Sequence, residues 1–208
     1  MYMFNNGGNM YRTINKIRTL SHTSNQHGKH EKQIEAILKG NGYEETTIKE
    51  LNFEKQSIKE TKYDKSNNKM WYISQPCGSQ SFPDFIVGDK FGNVFYLECK
   101  SNKKDHIVWN SGMPKNKGIY IFSSGKHNKQ TIIMGSDLWT KEEMELQLKI
   151  RKLIEETYRP LKNTDHKVEY YGRHMHVDKS PVFGHENRTK RESNVYKFIT
   201  EKRKCQNS

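Results

Sequence analysis

The chain has 208 residues, a formal net charge of +12 and 32% hydrophobic residues. That length suits one globular domain with a real core and is short for two. The mean hydropathy of −1.03 and the lack of any apolar run near the ~20 residues of a membrane span argue against a transmembrane protein. The positive balance favours a polyanionic partner, nucleic acid ahead of an anionic membrane surface. Residues 1–9 lack the basic-then-apolar layout of a signal peptide. Cys77, Cys99 and Cys205 are odd in number and widely spaced, which suits a reducing compartment and shows no zinc spacing. The expected location is therefore intracellular, in the cytoplasm.

Residues 1–27 are rich in Asn, Gly, Ser and Thr, with only Ile14, Ile17 and Leu20 hinting at a helical stripe. They read as a flexible or loosely docked arm. Residues 28–39 predict a helix, with Ile34, Ile37 and Leu38 on one face and Gly40 and Gly42 ending it. Residues 43–69 are highly charged and carry no clear period. A β pattern follows: residues 70–74, then 85–87 and 94–99 as a hairpin around the turn-forming 88–93. Residues 118–123 and 131–134 are two further strands. Residues 140–157 form the strongest helix, opened by a Thr140/Glu143 capping box and closed by Pro160. The basic segment 161–208 ends in a helix over about residues 192–203. The expected class is α/β (α+β), with a core at 28–160 and 161–208 as a DNA-contacting extension of the same domain.

The stretch GSQSFPDFIVGDKFGNVFYLECKS, residues 78–101, carries the chemistry. Asp84 follows Pro83 at the start of one strand, and Glu98 and Lys100 flank Cys99 at the end of the next. Residues i and i+2 of a strand share a face, so Glu98 and Lys100 point together and Cys99 points away. Hairpin pairing across the 13 intervening residues brings Asp84 near Glu98. Two close carboxylates repel, and a hard divalent cation with a preference for oxygen ligands removes that repulsion. Such an ion polarises a phosphate and acidifies a water, while a lysine orients that water and offsets developing charge. Each residue type thus has a role in phosphodiester hydrolysis.

The pattern P-D, then E-x-K on the next strand, resembles the PD-(D/E)XK nuclease superfamily. With the flanks WNSGMPKNKGIYIF after LECKS, residues 28–139 look like a type II restriction endonuclease. The resemblance implies a restriction-endonuclease-like core with a central mixed β-sheet flanked by helices. It implies one or two Mg²⁺ per active site, held by Asp84, Glu98, the main-chain carbonyl of Cys99 and an acid on the preceding helix. Glu31 and Glu35 compete for that last role, and helical projection puts Glu31 closer to the Ile34/Leu38 face. It also implies double-stranded DNA cleaved at a short specific sequence, a homodimer, and a cognate DNA methyltransferase in the same system.

Gln80, Asn110 and Ser111 are candidate DNA contacts beside the motif, and Arg173, Arg188, Lys190 and Arg191 mix with Tyr170 and Tyr171 in a basic, aromatic region suited to phosphates. Trp109 reads as the anchor of a structural loop. Gly118-Ile119-Tyr120 matches the opening of GIY-YIG nucleases, but the second tyrosine is missing and the run reads better as a buried strand. His174 and His176 share one side of a strand without a cysteine pair or carboxylate to complete a zinc set, and read as a basic surface.

Overall fold

The computed structural model describes residues 8–47, 69–79, 81–110, 112–159 and 175–204. In chain order the elements are α1 (Asn9–Arg18), a 3₁₀ turn (Gln26–Gly28), α2 (Lys29–Gly40), β1 (Glu44–Glu45), β2 (Trp71–Ser74), β3 (Phe85–Gly88), β4 (Val94–Asn102) and β5 (Val108–Asn110). They continue with β6 (Gly118–Ser124), β7 (Lys129–Met134), a second 3₁₀ turn (Gly135–Asp137), α3 (Lys141–Tyr158), β8 (Met175–Val177) and α4 (Arg188–Lys204).

The β3–β4 hairpin is antiparallel, with Phe85 opposite Leu97 and Gly88 opposite Val94. Its turn is closed by Asp89, whose Oδ1 accepts the N–H groups of Phe91 and Asn93, both at 2.9 Å. Gly88 is required by packing, because a Cβ there would fall 2.1 Å from the Trp71 ring. The strands form a six-stranded mixed sheet in the order β1-β2-β3-β4-β6-β7. β4 and β6 run parallel at its centre, Glu98 beside Tyr120 and Lys100 beside Phe122. A separate ribbon pairs β5 with β8, Trp109 opposite His176. Trp109, expected in a loop, therefore lies on a strand.

Strand alternation divides the sheet into two faces. Phe95, Leu97, Cys99, Ile119 and Ile121 join one core with Met10, Ile14 and Ile17 of α1, Ile34 and Leu38 of α2, and Val195 and Ile199 of α4. Tyr120, Phe122 and Ile133 join a second core with Ile107, Trp109 and Val182. The sheet is thus flanked by helices, as a mixed α/β fold.

Two further expectations need correction. Residues 9–18 are not a loose arm but a docked helix: Ile14 and Ile17 are fully buried against α2, α4 and β7. Their Asn- and Thr-rich surroundings disguised a three-point apolar stripe. The last helix begins at Arg188, earlier than residue 192, and its buried positions are Glu192, Val195 and Ile199. The capping box of α3 is present, with Glu143 N–H to Thr140 Oγ1 at 3.2 Å and Thr140 N–H to Glu143 Oε2 at 2.8 Å. Among the described residues no helix is long and apolar enough to cross a membrane.

Candidate active site

Asp84 sits one residue before β3, so the hairpin register carries it opposite Glu98. Its Oδ2 accepts the Cys99 N–H at 2.7 Å, and its carbonyl accepts the Gln75 N–H at 2.7 Å. The side chain is therefore tied to β4, and the backbone to the residue that follows β2. Glu98 is 8% exposed. Its Oε1 accepts from Lys100 Nζ at 2.6 Å, while its Oε2 is buried and has no hydrogen-bond partner among the described residues. Cys99 turns to the opposite face and is buried in the helix-covered core, leaving its backbone between the two acids.

The Lys100 ammonium also lies 5.7 Å from the centroid of the Trp109 ring. Trp109 is fixed in turn by a hydrogen bond from Nε1 to Asp178 Oδ1 at 2.9 Å and by edge contacts to Tyr120 and Trp139. Lys100 thus has two partners that hold it over the Glu98 face, a carboxylate and an aromatic surface.

α2 packs over β4 and brings Glu31 in from its first turn, where an acid is favoured by the helix dipole. Glu31 Oε2 is buried without a hydrogen-bond partner among the described residues, and its charge reaches both Asp84 and Cys99. Glu35 is engaged elsewhere: it accepts from Tyr72 Oη at 3.0 Å and pairs with Lys39 at 2.7 Å. That pairing with Lys39, helped by the Tyr72 hydrogen bond, keeps its carboxyl below the ordinary value.

Burial and the neighbouring Glu98 push the Asp84 carboxyl up to about 7, Glu31 adding to the rise and the Cys99 N–H and Lys100 opposing it. A native pKa above the unfolded one stabilises the fold fully below the unfolded value and less as pH rises through the native value. Metal-free protein is therefore expected to lose stability between 3.8 and about 7 through this group. Thermal unfolding across that window, set against Asp84→Asn, measures it. Parallel curves for the two proteins would remove Asp84 as the cause.

The donor set suits a hard dication. Two carboxylate oxygens, Glu98 Oε2 and Glu31 Oε2, are buried with no donor among the described residues, an arrangement that is costly unless something positive reaches each of them. Among the described residues no three His, Cys, Asp or Glu side chains converge at ligand spacing, so Asp84, Glu98 and Glu31 would have to move toward one another, with the Cys99 carbonyl, to enclose an ion.

The other candidate contacts are scattered. Asn110 ends β5, exposed and opposite Met175. Arg188 caps the Phe183 ring at 5.3 Å, Lys190 is exposed on α4, and Arg191 points toward a cavity beside Asp178. Gln80, Ser111 and Arg173 lie outside the described residues. Tyr120 is a core residue: it is 1% exposed and its hydroxyl accepts the Lys115 N–H at 2.9 Å. Sequence reasoning missed Trp139 and Asp178, which belong to no motif and meet Trp109 only through the fold. The chain matched no protein-family model, no curated protein and no solved structure.

Proposed function

We propose that this chain is a Mg²⁺-dependent endonuclease of the PD-(D/E)XK type, with a restriction-endonuclease-like core, that hydrolyses double-stranded DNA at a short specific sequence. The observation that carries the reading is the convergence at one strand edge of Asp84, Glu98 and Lys100, with Glu98 Oε2 buried and unpartnered among the described residues. The +12 charge supports a polyanionic substrate. Mg²⁺, when bound by Asp84, Glu98, Glu31 and the Cys99 carbonyl, supplies phosphate polarisation and a lowered water pKa. Lys100, positioned by Glu98 and the Trp109 ring, would hold the attacking water in line and donate to the phosphate oxygen that gains charge. Water adds to phosphorus as the bond to the 3′ oxygen breaks, leaving a 5′-phosphate and a 3′-hydroxyl. A homodimer matches the two-fold symmetry of such sites, and the exposed row Leu146, Ile150 and Leu153 on α3 is an apolar surface of the kind that assembly uses. In a restriction system the protein would work beside a DNA methyltransferase in the cytoplasm.

The test is incubation with plasmid and phage DNA, with and without Mg²⁺, beside Asp84→Ala. Discrete fragments that require both Mg²⁺ and Asp84 are expected. A smear, or cleavage confined to branched DNA, would replace sequence specificity with structure specificity; binding without cleavage of any DNA would end the enzymatic reading. A paired comparison locates the helix acid. Glu31→Gln is expected to raise the Mg²⁺ needed for half-maximal cleavage by roughly 10–100-fold, and Glu35→Gln to leave it unchanged. Equal effects would show that neither glutamate is set apart by the site.

A further inference from the structure

We propose that the half-open cavity lined by β8 and the starts of α3 and α4 is a nucleobase pocket, which takes one unstacked base. Its volume is about 270 Å³, below the roughly 300–1,000 Å³ of sites for drug-sized ligands and suited to a single heterocycle. Trp139 and His176 line it, with ring centroids 4.9 Å apart and planes inclined at 51°. Asp178 lines it as well, and its Oδ1 is anchored by the indole N–H groups of Trp109 at 2.9 Å and Trp139 at 2.7 Å. Arg191 reaches the same space from α4, and no side-chain hydrogen bond or ion pair holds its guanidinium among the described residues. The His176 ring lines this space, with its Nε2 buried beneath the surface and without a hydrogen-bond partner among the described residues.

These features exclude simpler occupants. A small anion would face the Asp178 and Glu143 carboxylates, and a small cation would face Arg191. A purely apolar ligand would desolvate the Arg191 guanidinium without giving it a partner. A flat ring with donors and acceptors along its edge answers each group and stacks on the aromatic walls, which is the chemistry of a nucleobase. Trp109 links this pocket to the candidate reaction centre: it stacks on His176 at 6.1 Å and 12°, and it also receives the Lys100 ammonium. An extrahelical base seated here would lie one indole from Lys100, at the cost of unstacking it from the duplex. The DNA source of the base rests on the nuclease reading; the base chemistry of the cavity does not.

The three tryptophans give three indole N–H signals in a nitrogen–proton correlation spectrum of the full chain, and the Trp139 signal is assigned by its loss in Trp139→Phe. In EDTA, where no strand is cut, each deoxynucleoside is added to millimolar concentration. A saturable shift of the Trp139 signal by at least one of them is expected, weakened about tenfold or more in Arg191→Gln and blocked in Leu146→Phe, which fills the cavity from an exposed position. It persists in Asp84→Asn. A short duplex with one unpaired nucleotide is expected to shift the same signal at lower concentration than the fully paired duplex. Equal effects of the two duplexes would keep the pocket and assign it to free nucleotides. No shift with any deoxynucleoside, or an unchanged shift in both pocket variants, overturns the proposal. DNA cleavage without nucleoside binding would sink the pocket alone, and nucleoside binding without cleavage would sink the nuclease alone.

Discussion

Lys100→Ala is expected to lower the rate of DNA cleavage by roughly 10²–10⁴-fold, the range for removing a positioned proton-transfer or charge-stabilising group, while DNA binding is retained. The loss should appear in single-turnover cleavage and leave the Kd for uncut DNA in Ca²⁺ nearly unchanged. The geometry gives two reasons for so large an effect. Lys100 is held by Glu98 at 2.6 Å and by the Trp109 ring at 5.7 Å, so its ammonium is placed before substrate arrives. No other cation pairs with Glu98 among the described salt bridges, so none is positioned to substitute. Lys100→Arg is not conservative here, because a planar guanidinium cannot occupy the point between carboxylate and indole in the same way. A Lys100→Ala protein that cuts at the wild-type rate would take the lysine out of the chemistry and leave it as a partner of Glu98 only.

Removal of residues 1–18 is expected to abolish cooperative unfolding, and Ile14→Ala alone to cost about 2–5 kcal/mol. Met10, Ile14 and Ile17 close the core between α2, α4 and β7. Arg18 adds a second connection: its Nε lies 2.9 Å from Glu192 Oε2, and the other Glu192 oxygen accepts from Thr131 Oγ1 at 2.7 Å. Glu192 is 6% exposed, so losing Arg18 would leave a buried carboxylate with a single hydroxyl donor, which is a costly arrangement. Urea denaturation of the truncated chain is the direct measurement. A single sharp transition at the wild-type midpoint would show that α1 is dispensable.

Much of the centre of this protein is readable in residue order. Alternation along residues 94–100 places Glu98 and Lys100 on one face and Cys99 on the other, and the Asp89–Asn93 turn sets the register that carries Asp84 to Glu98. These are consequences of a two-residue period and a short turn, which act within some fifteen residues. The α3 capping box is local in the same sense. What the order of residues does not contain is which surfaces meet. The stripe of α1 is only three apolar residues in a polar segment, and its burial depends on α4, more than 170 positions away, as the Arg18–Glu192 pair shows. Glu31 and Glu35 are one helical turn apart and chemically alike; Tyr72 and Lys39 occupy Glu35 and leave Glu31 toward Asp84. The cavity beside Trp109 is assembled from β8, α3 and α4, with His176 and Asp178 carrying no motif. Spacing and period, which act over a few bonds, determined how Asp84, Glu98 and Lys100 are placed on the β3–β4 hairpin. Packing between distant segments, where each group takes the partner that best satisfies its charge or apolar area, decided everything that surrounds it.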